Sequence, residues 1–174
     1  GVMFQHLVVP VDGSPQAWNA VPIAARMAAA VDGKLDVVTV VDRLADVVGA
    51  RTQLRDGLGD GLGGLRALAV EPMAHVLAGD SIAAAIAEHV ESLSGATVVM
   101  SSHGHGRSSA VLGSTTDDLL RRLFGPIVVI GPNVESTAGD LSGPYVVPVD
   151  GSARSETIVP IAGAWGVEFG ATPW

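Results

Sequence analysis

Val8-Val9-Pro10-Val11-Asp12-Gly13-Ser14 is a short apolar run that breaks into a turn. Leu7 to Val11 is a short apolar run rich in β-branched valine, as expected of a strand covered on both faces. Ser14-Pro15 then signals a helix start, with serine as N-cap and proline at the first helical position. Ala17, Val21, Ala24, Ala25, Ala28 and Val31 continue at helical spacing, and Gly33 is placed to end that helix. The same seven letters return as Val146 to Ser152, and Val21-Pro22-Ile23-Ala24 returns as Val159 to Ala162. Val8 to Val146 and Val21 to Val159 are both steps of 138 residues, which reads as a duplication. We therefore expect a complete unit over 1–133, a linker over 134–143, and the first strand and helix of a second copy over 144–174. One strand and one helix bury too little apolar surface to fold alone, so 144–174 is expected to dock on the first unit's sheet or on a symmetry mate.

Outward from the first strand, the pattern alternates. Leu35 to Val41 reads as a strand, and residues 44–67 as a short, frayed helix followed by a glycine-rich loop. Leu68 to Val76 reads as a weaker strand, with Pro72 marking a bulge or an edge. Asp80 or Ser81 caps a helix striped by Ile82, Ala85, Ile86, Val90 and Leu93. Thr97 to Met100 is a strand, Ser114 to Leu123 a helix and Pro126 to Ile130 a last strand. Strand–helix alternation with apolar strands predicts an α/β fold: a doubly wound, open sheet of about five parallel strands flanked by helices. Such a sheet binds ligands beyond the carboxyl ends of its strands, at a topological switch point.

Composition narrows the function. Of 174 residues, 48% are apolar and 16% charged, which suits a packed core rather than disorder. No apolar run is long enough for a membrane span, and no leader is expected at the N-terminus, which favours a cytoplasmic protein. The absence of cysteine excludes disulfides, thiolate metal sites and thiol nucleophiles. Lys34 is the only lysine and the net charge is −8. A nucleic-acid partner would call for a basic stripe, so none is expected.

Two loops after strands carry the chemistry. Asp12 ends the first, where its carboxylate can accept from a ligand amine or ribose hydroxyl, or can simply support the following helix. The second runs from Met100 through Ser101, His103, Gly104, His105, Gly106 and Arg107 to Gly113, Ser114, Thr115 and Thr116. Its glycines permit close backbone approach, and the helix start at Gly113-Ser114 offers amides and a dipole to an anion. Such a site holds phosphate without lysine. The bland alternative is that Ser114 caps the helix, with Asp117 completing a capping-box-like pattern. His103 and His105 lack further ligands nearby, and no metal site is expected. His75 and His89 read as surface or boundary residues. Arg121 and Arg122 suit a helix C-terminus, and Trp18, Trp165 and Trp174 form no stacking platform.

Walker, Rossmann and hydrolase-elbow motifs are all absent, and no nucleophile–base pair emerges. With the Val-Pro-Val-Asp-Gly-Ser opening, the Ser-His-Gly loop, Leu112-Gly113-Ser114 and the Pro126-to-Ile130 strand, the chain resembles the universal stress protein family. That resemblance implies an adenine-nucleotide α-hydrolase-like fold of five parallel strands, dimerising through the 126–130 strand. It implies ATP, accompanied by a cation such as Mg²⁺, with the adenosine on Pro10, Val11, Asp12, Val40 and Met100. The phosphates would meet His103, Gly104, Gly113, Ser114, Thr115 and Thr116. The family's ATP-binding members carry Gly-x2-Gly-x9-Gly-Ser/Thr; here the first glycine is Ser101, and eight residues separate Gly104 from Gly113. The expected activity is a nucleotide-responsive stress or signalling module with, at most, slow ATP hydrolysis. The alternative is a family member that binds no nucleotide and acts as a dimerisation or interaction module.

Overall fold

Five strands pair in parallel: β1 (His6–Pro10), β2 (Lys34–Val41), β3 (Met73–Ala78), β4 (Ala96–Ser101) and β5 (Ile127–Ile130). Their order across the sheet is β3-β2-β1-β4-β5. The computed structural model describes residues 3–61, 68–102, 112–134 and 140–174. The chain divides into two units, Gly1–Ala138 and Gly139–Trp174.

In the first unit, the two-residue pleat sorts side chains between faces. Val8, Val38, Val98 and Met100 pack with Ile86, Val90 and Leu119 from α4 (Ile82–Glu91) and α5 (Ser114–Arg122). α2 (Ala20–Val31) and α3 (Val47–Gly61) contact β1, β2, β3 and β4. Leu7, Val9, Leu35 and Val37 on the alternate positions are fully buried, and each such side chain contributes about 1.5–3 kcal/mol of burial. The chain winds from β1 outward to β3, then crosses back to β4, so its switch point lies between β1 and β4.

Several local expectations shift for identifiable reasons. The helix after Ser14 is two: α1 (Pro15–Trp18) and α2, joined at Asn19. Pro22 explains the break, because it cannot donate to the Trp18 carbonyl and its ring crowds that position. The left-handed turn that ends α2 falls on Asp32 (φ 52°), while Gly33 donates to the Ala28 carbonyl at 2.8 Å. Glycine is needed there for space: a Cβ would lie 2.8 Å from the Gln5 carbonyl oxygen. The short, frayed helix expected after residue 44 is a 3₁₀ turn, Leu44–Asp46, followed by the 15-residue α3. Burial of Leu54 and Leu58 outweighs the weak propensity of its glycines. Gly57 admits the Trp18 ring, which would stand 2.5 Å from a Cβ. β3 starts after Pro72 rather than around it, and it is an edge strand. Buried positions of α4 are Ala83, Ile86, Ala87 and Val90, whereas Ile82 is half exposed.

The second unit holds α6 (Ala153–Glu156) and α7 (Val159–Phe169). Pro160 falls where Pro22 falls in the first unit, and the helix is divided in the same way. Residues 146–149 form no strand ladder; an isolated parallel bridge pairs Tyr145 with Pro173. The Tyr145 hydroxyl donates to the Ala162 carbonyl at 2.6 Å, and Trp165 meets Phe169 edge-on at 4.6 Å between centroids. Among the described residues no helix is long and apolar enough to cross a membrane.

Candidate functional site

Beyond the carboxyl ends of β1, β2 and β4, at the switch point, the first unit opens into a pocket of about 510 Å³. That size is in the range of small-ligand sites. Pro10, Val11 and Asp12 form one wall, Val40 and Met100 contribute apolar surface, and Gly113, Ser114, Thr115 and Thr116 close the far side. Sequence reasoning did not find Ala17, Val38, Thr39, Ile82 and Ile86, which also line it. Strand parity could have found Val38, which shares a face with Val40. The exposed Ile82 is the α4 residue that turns from core to pocket rim.

Asp12 is held by its own turn. Its Oδ1 accepts from the Ser14 amide at 3.0 Å and the Ser14 hydroxyl at 2.5 Å. Gly13 takes φ 82°, a conformation that side chains resist. Ser14, fully buried, accepts from the Ala17 amide at 3.2 Å as the N-cap of α1. The carboxylate therefore supports the helix start, and it also lines the pocket.

The other wall is the start of α5. Ser114 is the first helical residue, not the cap; the cap is Gly113, which makes no side-chain hydrogen bond. Asp117 turns away to Arg121, with Oδ2 accepting from Nε at 3.1 Å. The capping-box-like reading is thus not realised. Among the described residues no side chain caps the first amides of α5, in the position where the helix dipole favours negative charge. Gly113 itself donates to the Ser102 carbonyl at 3.0 Å, which ties the turn to the end of β4. Thr116 is buried, while Ser114 is exposed at the pocket wall. His103, Gly104, His105, Gly106 and Arg107 lie outside the described residues. Ser101, at the place of the first motif glycine, lines the pocket and donates from its hydroxyl to the Gln16 carbonyl at 2.7 Å.

The arrangement pairs a fixed carboxylate and an apolar wall with a helix start presenting amides and hydroxyls. It offers hydrogen-bond acceptors to a polar ring or hydroxyl at one end and donors to an anion at the other. It presents no nucleophile–base pair among the described residues that line it.

Comparison with known proteins identifies the family and the fold. The profile of the universal stress protein family matches residues 3–131. A universal stress protein solved in complex with cAMP is similar at 22% identity and TM-score 0.57, covering 72% of this chain and 96% of that one. One from Archaeoglobus fulgidus in complex with dAMP is 19% identical, with TM-score 0.58, covering 74% and 99% respectively. Another, from Archaeoglobus fulgidus DSM 4304, covers 99% of this chain and 66% of that one, at 16% identity and TM-score 0.69. No curated protein sequence matches significantly. The match over residues 3–131, on a five-stranded parallel sheet of this order, establishes that the chain belongs to the universal stress protein family.

Proposed function

We propose that the chain is an ATP-binding universal stress protein, with its site in the pocket between Asp12 and the start of α5. The observation that carries this reading is the glycine cap of α5: among the described residues no side chain caps its leading amides, and they border the same pocket as the Asp12 carboxylate. In this reading Val40 and Met100 pack against the adenine, and Asp12, immobilised by Ser14, accepts from a ribose hydroxyl. Ser114, Thr115 and Thr116 donate to phosphate oxygens that approach over Gly113, with His103 and Gly104 completing the phosphate loop. Asp12 is the only carboxylate among the described residues that line the pocket. A Mg²⁺ accompanying the nucleotide is therefore coordinated by phosphates and water rather than by a protein cage. Neighbours carrying cAMP and dAMP support the adenine part of the assignment at the level of the fold.

Two further elements belong to the proposal. The chain forms a homodimer through β5, an edge strand whose Ile127, Val128 and Val129 are incompletely buried. Residues 144–174 are the opening of a second copy, which the words repeated at a fixed step and their matching turn geometry support. Nucleotide occupancy, in this account, alters docking to partners or dimerisation. The test is direct: purify the protein, denature it and identify nucleotides in the supernatant, then titrate ATP into the nucleotide-free protein. Saturable ATP binding, competed by other adenine nucleotides, is expected. An empty supernatant together with no ATP binding would leave the dimerisation or interaction module as the function.

A further inference from the structure

Asp36 is a carboxylate in the middle of a sheet, with 3% of its side chain exposed. Burying a carboxylate is costly unless a charge or several hydrogen bonds compensate. Among the described residues no arginine or lysine pairs with it; instead three histidines converge on it. His89 Nε2 lies 3.2 Å and His6 Nε2 3.1 Å from Oδ2, and His75 Nε2 lies 3.5 Å from Oδ1. The sheet explains the meeting. Val8 is the Cα partner of Asp36 and Val38 the partner of His75, so pleat parity sends His6, Asp36 and His75 to the face covered by α4. His89 then descends from the last turn of α4, which in a parallel β–α unit lies near the amino ends of the strands.

Only the His89 contact has hydrogen-bond geometry. His6 Nε2, His75 Nε2 and Asp36 Oδ1 are buried polar atoms without a hydrogen-bond partner. Three such atoms in one cluster need an explanation. Ligand atoms of Asp36, His75 and His89 all lie within 4.8 Å of one another. His89 and His75 approach different oxygens of the one Asp36 carboxylate, at 3.2 and 3.5 Å, so two imidazole nitrogens flank it closely enough to share an ion with ligands at about 2.0–2.1 Å. Imidazole nitrogens with one carboxylate are a donor set for Zn²⁺ and its borderline neighbours rather than for Mg²⁺ or Ca²⁺.

We propose that Asp36, His75 and His89 form a divalent transition-metal site, with Zn²⁺ as the fitting ion. His6 flanks the carboxylate, and a water takes the fourth position. The half-buried His75, 32% exposed, leaves the way in for the ion. The site lies toward the amino ends of the strands, whereas the nucleotide pocket lies beyond their carboxyl ends, so this proposal stands whatever the pocket binds. Bound there, the ion ties the edge strand β3 and the helix α4 to β2.

The test uses the full, tag-free chain, stripped with EDTA and titrated calorimetrically with ZnCl₂. One equivalent is expected to bind at micromolar or tighter affinity and to raise Tm by several degrees, as any ligand selective for the native state does. Co²⁺ in place of Zn²⁺ should give the visible absorption of a nitrogen–oxygen ligand set. His75→Ala and His89→Ala should each weaken binding at least tenfold while the metal-free variants keep the wild-type circular dichroism spectrum. Asp36→Asn, which removes the charge and keeps the shape, should do the same. Absence of stoichiometric Zn²⁺ binding by the wild type, or binding that persists unchanged in both histidine variants, would overturn the proposal.

Discussion

The Val-Val-Pro-Val-Asp-Gly-Ser stretch occurs twice, and the two occurrences agree in one half and differ in the other. Their turns are nearly superimposable in chemistry. Gly13 and Gly151 take φ 82° and 80°; Asp12 and Asp150 each accept from the amide two residues on, at 3.0 and 2.9 Å. Ser14 and Ser152 cap α1 and α6 through the amide three residues on, at 3.2 and 3.1 Å. The valines before the turns part company. Val8 is fully buried between β2 and β4, while Val146 is 74% exposed. The Asp-Gly-Ser turn is therefore a local structure, sufficient to itself. The strand exists only where neighbours supply its hydrogen bonds and cover its faces. It follows that the turn alone is no mark of a ligand site; what sets Asp12 apart is the pocket it lines together with the start of α5.

Paired substitutions should separate the two occurrences most strongly at the valines. Val8→Ala should cost about 2–3 kcal/mol in denaturant unfolding, by lost burial and a residual cavity. Val146→Ala should stay within about 0.5 kcal/mol. Equal losses at both would mean that Val146 is covered in solution.

Ligand binding should separate the aspartates next. Asp12→Asn keeps an acceptor for the Ser14 amide but removes the charge offered to the nucleotide. ATP affinity should fall about tenfold, as for loss of a charge-assisted hydrogen bond. Asp150→Asn should leave it unchanged, and calorimetric titration of both variants decides the matter.

At the caps the contrast narrows. Ser14→Ala should destabilise by about 1–2 kcal/mol, since it removes a cap within a buried site, and Ser152→Ala by about 0.5–1 kcal/mol. Chemical denaturation measures both.

The smallest effect is in the titration of Asp150. Hydrogen bonds from Ser152 and Ser155 lower its pKa from 3.8 to about 2. A folded-state value below the unfolded one means that this contribution is present above pH 3.8 and is lost as pH falls toward 2. Carboxylate carbon shifts followed by NMR should show the depressed midpoint, and Ser152→Ala should return it toward the ordinary range.

Much of this was legible in the letters because it is local or strongly periodic. The apolar runs at β1, β2, β4 and β5, the Ser14-Pro15 helix start and the two loops facing the switch point each carry a short-range signal. What escaped depends on contacts between distant segments. Leu54 and Leu58 hold α3 helical across glycines because the sheet beneath rewards their burial. Pro22 and Pro160 break their helices in a way the apolar spacing alone conceals, although the missing amide was there to be counted. His6, Asp36, His75 and His89 sit on four separate elements, and only the strand register brings them together. Within the site, Asp12, Val40 and Met100 stand with Gly113 to Thr116 at one pocket, as the topology rule and the resemblance both led one to expect. The identity of the α5 cap was not readable, because residue type favours Ser114 over Gly113 as a cap, whereas the bond from the Gly113 amide to the Ser102 carbonyl sets the helix start one residue earlier.

The central claim is that the amides at the start of α5 hold the phosphates. Gly113 does not need glycine for the fold itself. Its φ is −61°, and an added Cβ would meet the Ser102 carbonyl oxygen at an ordinary 3.5 Å. Calorimetric titration of ATP into Gly113→Ala beside the wild type is therefore the most direct measurement. We predict a Tm lowered by no more than a few degrees, since alanine caps a helix less well than glycine, with ATP affinity at least tenfold weaker, because the methyl stands where the phosphate approaches the amides. An unchanged affinity in the variant, or no ATP binding by the wild type, would contradict the account.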